Sequence, residues 1–313
     1  MEKRLLMSKT TIVPGGVWSA APTPFTASMQ IDTDAIARMV EHHARLGVQG
    51  FFLAGTNGEG PWMPDAQRDL LVRTVVDCVN GRYPVAVQVT DNSSARILAN
   101  MHSAKACGAD IAIIAPPYFF FNPTPKNIVS LYLDAIHESP LPVGIYDRGK
   151  NGSVVVPNEA IKAIYADKHV IMIKDSSADM DRMQIALAAK KKRPGLCLLN
   201  GWEFNCVEYL TAGYDGLLLG GGVFNGFLAN QIMAAVAAGK VAKANKIQQR
   251  MNRIMYDVYG GKKIACWLAG EKKLLVDMGI FCTWKNYPNY PLTKSCANAI
   301  TRVLEKDADA LLP

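Results

Sequence analysis

Val170-Ile171-Met172-Ile173-Lys174-Asp175-Ser176-Ser177 is an apolar, β-branched run that delivers a single lysine and is followed by two small hydroxyl residues. Hydrophobic residues bounded by polar ones read as a short strand buried on both faces, which puts Lys174 at the strand's end. A charged ammonium is costly there. Such a lysine either pairs with an acid, Asp175 being the nearest in sequence, or gives up its proton more readily through desolvation and becomes a nucleophile for carbonyl carbon. The ordinary alternative is a lysine that lays its stem along apolar surface and keeps its head in water. The rest of the chain decides between them.

Outward from this stretch, strand-like runs at 17–21, 50–54, 84–90, 111–115, 142–146, 170–174, 196–200 and 216–219 alternate with helical patterns. The helical patterns fall at 34–46, 65–80, 95–107, 126–137, 157–165, 179–190, 203–212 and 226–238, the first with an Asp32 or Thr33 cap. Strands too apolar for a half-exposed sheet, each followed by a helix, predict an α/β fold, a (β/α)8 TIM barrel over 16–240. An open doubly wound sheet is the competitor. It often carries GxGxxG after its first strand, whereas this run enters Pro22-Thr23-Pro24-Phe25. After residue 240 the alternation stops. Helical stretches at 241–259, 262–278 and 293–306 predict a C-terminal helical extension over 241–313, and residues 1–15 read as a short disordered leader, not a signal peptide.

The chain has 313 residues, 50% hydrophobic and 19% charged, enough for a large core. Since no apolar run reaches membrane-spanning length, a soluble protein is expected. Seven cysteines with no CxxC pair point to a reduced, cytoplasmic setting. Five histidines show no metal-ligand spacing, so no metal site is expected. The net charge of +7 is scattered, and its densest run, 190–193, closes a helical pattern where cations complement the dipole. Neither nucleic acid nor membrane is therefore an expected partner, and small anionic substrates fit the balance.

In a parallel barrel the C-terminal ends of all strands open on one face, where chemistry is built. Lys174 shares that face with Gly55-Thr56-Asn57-Gly58-Glu59-Gly60 after the second run, with Tyr146 ending the fifth, and with 219–222 after the eighth. The glycines let backbone N–H groups approach an anion closely, and a carboxylate is the natural guest. An ordinary tight turn is the competing reading, but the Thr56 hydroxyl and Asn57 amide add donors a plain turn does not need. The Tyr146 phenol either relays protons or packs in the core.

Together, GTNGEG at 55–60, GIYDRG at 144–149 and IMIKDSS at 171–177 resemble the dihydrodipicolinate synthase and N-acetylneuraminate lyase superfamily of class I aldolases, over nearly the whole chain from about residue 17. The resemblance implies a Schiff base between Lys174 and the ketone of a 2-oxo acid, typically pyruvate or a pyruvate-derived hydroxy acid. It implies that Thr56 and Asn57, with Gly55 in the same loop, hold the substrate carboxylate largely through backbone N–H groups. Tyr146 would shuttle the proton, and Leu218 and Gly201 would line the pocket. No metal or organic cofactor is implied, and a homo-oligomer, tetramer or dimer, is.

Departures from the family pattern bear on the substrate. Where the synthases carry an arginine for the aldehyde's distal carboxylate, this chain has Asn151, with Arg148 and Lys150 nearby. Where they lend a second tyrosine to a neighbouring subunit, it has Phe119, which cannot relay a proton, beside Tyr118. Tyr146-Asp147-Arg148 is similar to the tyrosine-x-arginine arrangement of keto-deoxy-sugar-acid dehydratases. Glu203 resembles the acid that lyases of polyhydroxy chains use for substrate hydroxyls, and Ser176 their hydroxyl after the lysine. Glu203 reads equally well as a first-turn acid favoured by a helix dipole. The expected function is a lyase acting on a 2-keto-3-deoxy sugar acid or similar hydroxy-oxo acid, by retro-aldol cleavage or dehydration. The alternatives are condensation of pyruvate with aspartate semialdehyde, as in dihydrodipicolinate synthase, and a catalytically silent barrel that binds an oxo acid.

Overall fold

The apolar runs form eight parallel strands: β1 Gly16–Ala20, β2 Gly50–Leu53, β3 Val85–Gln88, β4 Ile111–Ile114, β5 Val143–Asp147, β6 Val170–Asp175, β7 Cys197–Asn200 and β8 Gly216–Leu219. They pair in sequence order and close, β1 bonding to both β2 and β8. The computed structural model describes residues 13–313, so residues 1–12 of the expected leader lie outside the described residues. The intervening helices are α1 Thr33–Arg45, α2 Asp65–Val79, α3 Ser94–Ala106, α4 Pro125–His137, α5 Asn158–Ala166, α6 Met180–Lys192, α7 Cys206–Ala212 and α8 Gly222–Ala237. After the barrel come α9 Val241–Val258, α10 Trp267–Asp277, α11 Lys294–Lys306 and α12 Ala308–Leu311. This is the expected (β/α)8 barrel with C-terminal helices. Among the described residues no helix is long and apolar enough to cross a membrane.

Local chemistry sets the helix starts. The Asp32 carboxylate accepts from the Ala35 N–H at 3.0 Å, and Thr124 with Asn127 forms a capping box at α4. Three helix starts differ by three residues or more from the sequence reading, the mildest being α7, where a 3-10 turn over Glu203–Asn205 precedes the helix. Helix α8 begins at Gly222 instead of 226, because a glycine there lets the first turn approach Ser19 of β1, whose Cα would lie 2.9 Å from any added Cβ. Helix α10 begins at Trp267 instead of 262, because Gly260, Gly261 and Ile264 all take positive φ and interrupt the helical path.

Side chains alternate along each strand, one set filling the barrel and the other meeting the helices. The interior holds Trp18, Phe52, Ile113, Met172, Leu199 and Leu218, all buried. Trp18 fits because its neighbour on β2 is Gly50, where a Cβ would lie 2.3 Å from the indole.

The same alternation decides the ends of β5 and β6. Tyr146 aligns with Lys174 and Asp147 with Asp175, both strands running one residue beyond their expected ends. Tyr146 belongs to the interior cluster. Asp175, the acid nearest Lys174 in sequence, does not pair with it: its carboxylate accepts from Tyr214 Oη at 2.7 Å, from the Ser177 N–H at 2.9 Å and from Ser177 Oγ at 2.6 Å. Asp147 likewise binds the Tyr165 hydroxyl at 2.9 Å and Arg182 at 3.1 Å. Opposite faces of adjacent residues explain the separation.

Arg182 and Asp147 are almost fully buried, at 4% and 1% side-chain exposure, so either charge left alone would be costly. Arg182→Ala should lower the unfolding free energy in urea by about 3 kcal/mol. An unchanged midpoint and slope would mean that the pair carries no net stability.

Candidate active site

Lys174 projects into the barrel mouth between aromatic rings. Its Nζ lies 4.2 Å from the Tyr146 ring centre and 4.8 Å from that of Phe52, and the two rings meet edge to face at 5.8 Å. The residue is 4% exposed. Burial lowers the Lys174 pKa, the nearby Tyr146 and Glu203 oppose that shift, and the Arg148 charge adds to it. For Tyr146 burial works upward, but the charges of Lys174 and Arg148 and the hydroxyls of Thr56 and Ser176 outweigh it, leaving the phenol below its ordinary value. The two groups therefore titrate against each other: burial favours the neutral amine, and it is the Lys174 charge that first draws the proton from the phenol.

Gly201 makes room for the lysine stem. A Cβ there would lie 2.9 Å from Lys174 Cε and 2.1 Å from Ser176 Oγ. Leu218 is fully buried in the interior cluster with Tyr146. Glu203 sits in a 3-10 turn preceding α7 and accepts from the Gly221 N–H at 2.7 Å and the Tyr259 hydroxyl at 3.0 Å. Burial raises its carboxyl pKa, against those two bonds and the nearby Lys174.

The 55–60 loop is built by close approach. A Cβ at Gly60 would lie 1.9 Å from the Ala54 carbonyl oxygen, and one at Gly58 2.8 Å from the Ala54 nitrogen. Ala54 and Glu59, on either side, hold left-handed φ of 52° and 61°. Among the described residues no acceptor takes the backbone N–H of Thr56 or Asn57. The Asn57 amide, expected to offer a donor to the ligand, points away instead. It donates to the carbonyls of Ala20 at 2.9 Å and Gly220 at 3.2 Å and to Glu271 Oε1 at 3.2 Å.

That last contact shows what sequence reading missed. Helix α10 places Glu271 and Lys272 beneath the loop, both fully buried. Lys272 is ion-paired with Glu59, donates to the Lys285 carbonyl at 3.0 Å and lies 4.3 Å from the Phe25 ring centre. Glu59 also accepts from the Tyr287 N–H at 2.7 Å. Burial pushes the Glu59 carboxyl up and the Lys272 amine down, and their contact opposes both shifts. The only signal in the sequence was a charged pair in an apolar helix, with no indication of its partners.

Beside the loop opens a cavity of about 260 Å³, lined by Thr56, Trp62, Gln88, Tyr118, Arg148 and Ser153. Gln88 Nε2 donates to the Tyr118 hydroxyl at 3.0 Å, and burial pushes that phenol up to about 12. In the sequence Gln88 is marked only as a polar residue inside an apolar run. Asn151 is exposed in the 3-10 turn Gly149–Asn151 and Phe119 is 67% exposed, so neither lines this cavity.

A desolvated lysine at the mouth of a (β/α)8 barrel defines a class of enzymes able to form an imine with a carbonyl substrate. Comparison with known proteins makes that class specific. The sequence model of the dihydrodipicolinate synthetase family matches residues 13–306, and the chain belongs to that family, whose members are class I aldolase-type lyases. The 4-hydroxy-tetrahydrodipicolinate synthase of Stenotrophomonas maltophilia is 30% identical over 205 residues, covering 65% of this chain and 67% of that protein. The enzyme of the same name from Thermotoga neapolitana is 28% identical over 245 residues, covering 77% and 82%. The solved structure of dihydrodipicolinate synthase from Bacteroides thetaiotaomicron has a TM-score of 0.85 at 25% identity, covering 94% of this chain and 99% of that one.

If Lys272 and Glu59 hold the loop, their separation should affect both stability and loop geometry. Lys272→Met strands a buried carboxylate and should cost about 3–5 kcal/mol in denaturant unfolding. In the folded fraction the oxo-acid KM should rise more than kcat falls. A folded variant with unchanged KM would contradict the anchoring role.

Proposed function

We propose that the protein is a class I lyase in which Lys174 forms an imine with the ketone of a 2-oxo acid. The observation that carries this reading is the desolvated Lys174 amine, 4.2 Å from the centre of the Tyr146 ring. The neutral Nζ adds to the ketone carbon, and the carbinolamine loses water to give an iminium. Tyr146 moves the protons. The iminium acidifies the adjacent carbon, and the enamine arises in either of two ways. Loss of the β-hydroxyl proton lets the carbon-carbon bond break, releasing an aldehyde and leaving the pyruvate enamine. Loss of the α-carbon proton instead gives an enamine that expels the β-hydroxyl as water. Thr56 and Asn57 hold the carboxylate through their backbone N–H groups, with Gly55 allowing the loop's close packing, and Gly201 and Leu218 shape the wall.

The substrate proposed is a 2-keto-3-deoxy sugar acid or similar hydroxy-oxo acid. Arg148 and Gln88 in the cavity, together with Ser176 and Glu203 near Lys174, supply polar groups for its hydroxyls and distal end. The second reading, condensation of pyruvate with aspartate semialdehyde, is favoured by the names of the curated relatives. It lacks the distal guanidinium at position 151. A homo-oligomer, tetramer or dimer, is supported by the exposed aromatic residues Phe119 and Phe121, and a reduced cytoplasmic setting by seven free cysteines.

Borohydride reduction with pyruvate, followed by peptide mass mapping, should place the adduct on Lys174. An adduct elsewhere, or none, removes the proposal. Turnover of a panel of 2-keto-3-deoxy acids, with pyruvate release and water loss followed separately, should exceed turnover of pyruvate with aspartate semialdehyde. The reverse ranking favours the second reading.

Because burial depresses Lys174, the acidic limb of kcat/KM should fall below the ordinary lysine value of 10.5, activity rising with pH as the neutral amine appears. Tyr146 holds the Lys174 pKa up, so Tyr146→Phe should shift that limb to lower pH while kcat drops about 100-fold or more. A limb that moves upward contradicts the coupling.

A further inference from the structure

On the opposite face of the barrel a second cluster stands apart from this chemistry. His137 ends α4, and Asp167 and His169 lie in the loop that feeds β6. Asp167 Oδ2 meets His137 Nε2 at 2.7 Å, and Oδ1 meets His169 Nδ1 at 2.9 Å. One donor atom from each residue lies within 4.8 Å of the other two, the only such His, Cys, Asp or Glu group among the described residues. The histidines are about half exposed and the carboxylate largely covered, at 49%, 47% and 14%.

We propose that His137, Asp167 and His169 bind one divalent transition-metal ion, by ligand chemistry Zn²⁺, at the N-terminal face of the barrel. Two imidazoles and one carboxylate are a borderline-soft set suited to Zn²⁺, Co²⁺, Ni²⁺ or Cu²⁺ and poorly suited to Mg²⁺ or Ca²⁺. At metal–ligand distances of about 2.0–2.1 Å a tetrahedral site has ligand–ligand edges of about 3.3 Å. The 2.7 and 2.9 Å contacts use different oxygens of Asp167, so one imidazole must turn toward the oxygen the other already meets; with one donor atom from each residue within 4.8 Å of the others, rotation of the two half-exposed rings supplies that movement. Half-exposed rings leave the fourth position to water.

The ligand-bearing loop is held in advance. The Arg193 guanidinium donates to the carbonyls of Tyr165, at 2.8 Å, Lys168, at 3.2 Å, and Val170, and the His169 N–H donates to Asp167 Oδ1 at 2.9 Å. The Arg193 charge opposes a second cation, and the Asp167 carboxylate offsets it. A bound ion would tie α4 to the loop leading into the strand that carries Lys174. Chemistry in such barrels is built at the opposite, C-terminal face, so an ion here would act on stability and not on catalysis. No metal-ligand spacing is visible along the chain because 30 residues separate His137 from Asp167.

The test uses tag-free, chelator-stripped full-length protein titrated with ZnCl₂ by calorimetry and with CoCl₂ by visible absorption. One equivalent of Zn²⁺ should bind, Co²⁺ should give tetrahedral d–d bands, and Tm should rise with Zn²⁺ but not with Mg²⁺. His137→Ala and His169→Ala should each weaken binding at least about tenfold and abolish the Tm rise, leaving metal-free lyase activity intact. His137→Gln and His169→Gln, which keep a hydrogen bond to Asp167, replace any alanine variant that folds poorly by circular dichroism. Absence of binding would reduce the cluster to a hydrogen-bonded clasp and overturn the proposal. Binding that persists when His137→Ala and His169→Ala are combined would overturn it too, pointing to cysteine ligands such as the exposed Cys282.

Discussion

Removing the Lys174 ammonium from water is the constraint around which the site is arranged. A lysine on the outer face of β6 would meet Asp175 and its neighbours, and an ion pair there would keep it charged. On the inner face it meets the rings of Phe52 and Tyr146, whose burial of the amine outweighs the opposing pull of the Tyr146 phenol. Gly201 leaves the stem its space, and the phenol of Tyr146 aligns with the lysine across the β5–β6 register. The family to which the chain belongs supplies a reason for tolerating the cost: an amine destabilised as a cation is a better nucleophile at moderate pH.

A second cost lies under the 55–60 loop. The chain buries Glu59, Lys272 and Glu271 together, a combination that an apolar cluster could replace with less desolvation. The ion pair and the Asn57–Glu271 bond instead specify one conformation of a loop with two strained residues, Ala54 and Glu59. The C-terminal helices therefore do more than cover the barrel. Through α10 they fix the backbone N–H groups of Thr56 and Asn57.

The fold was legible because short apolar strands alternating with helices have few solutions, and the lysine stood out as the one charge delivered by such a strand. The facing of Tyr146 and Lys174 followed from strand ends alone. Three features were not legible. Asp175 is the acid nearest Lys174 in sequence, yet adjacent residues of a strand point to opposite faces, so closeness along the chain is no guide to pairing. The support of the loop from Glu271 and Lys272 links positions more than 200 residues apart, 214 for the Asn57–Glu271 bond, and local pattern carries no trace of it. The start of α8 in a run of glycines reflects a tertiary approach to Ser19 that overrides the propensity of glycine to end helices.

The most direct test of the account is a pH titration of the lysine side-chain ammonium groups by nuclear magnetic resonance, with Lys174→Met for assignment. The account predicts a lysine that titrates below the ordinary value of 10.5, is absent from the variant, and moves further down in Tyr146→Phe. A Lys174 that titrates at or above the ordinary value would contradict it, because the amine would then be an ammonium through the working range and burial would not be the source of its reactivity.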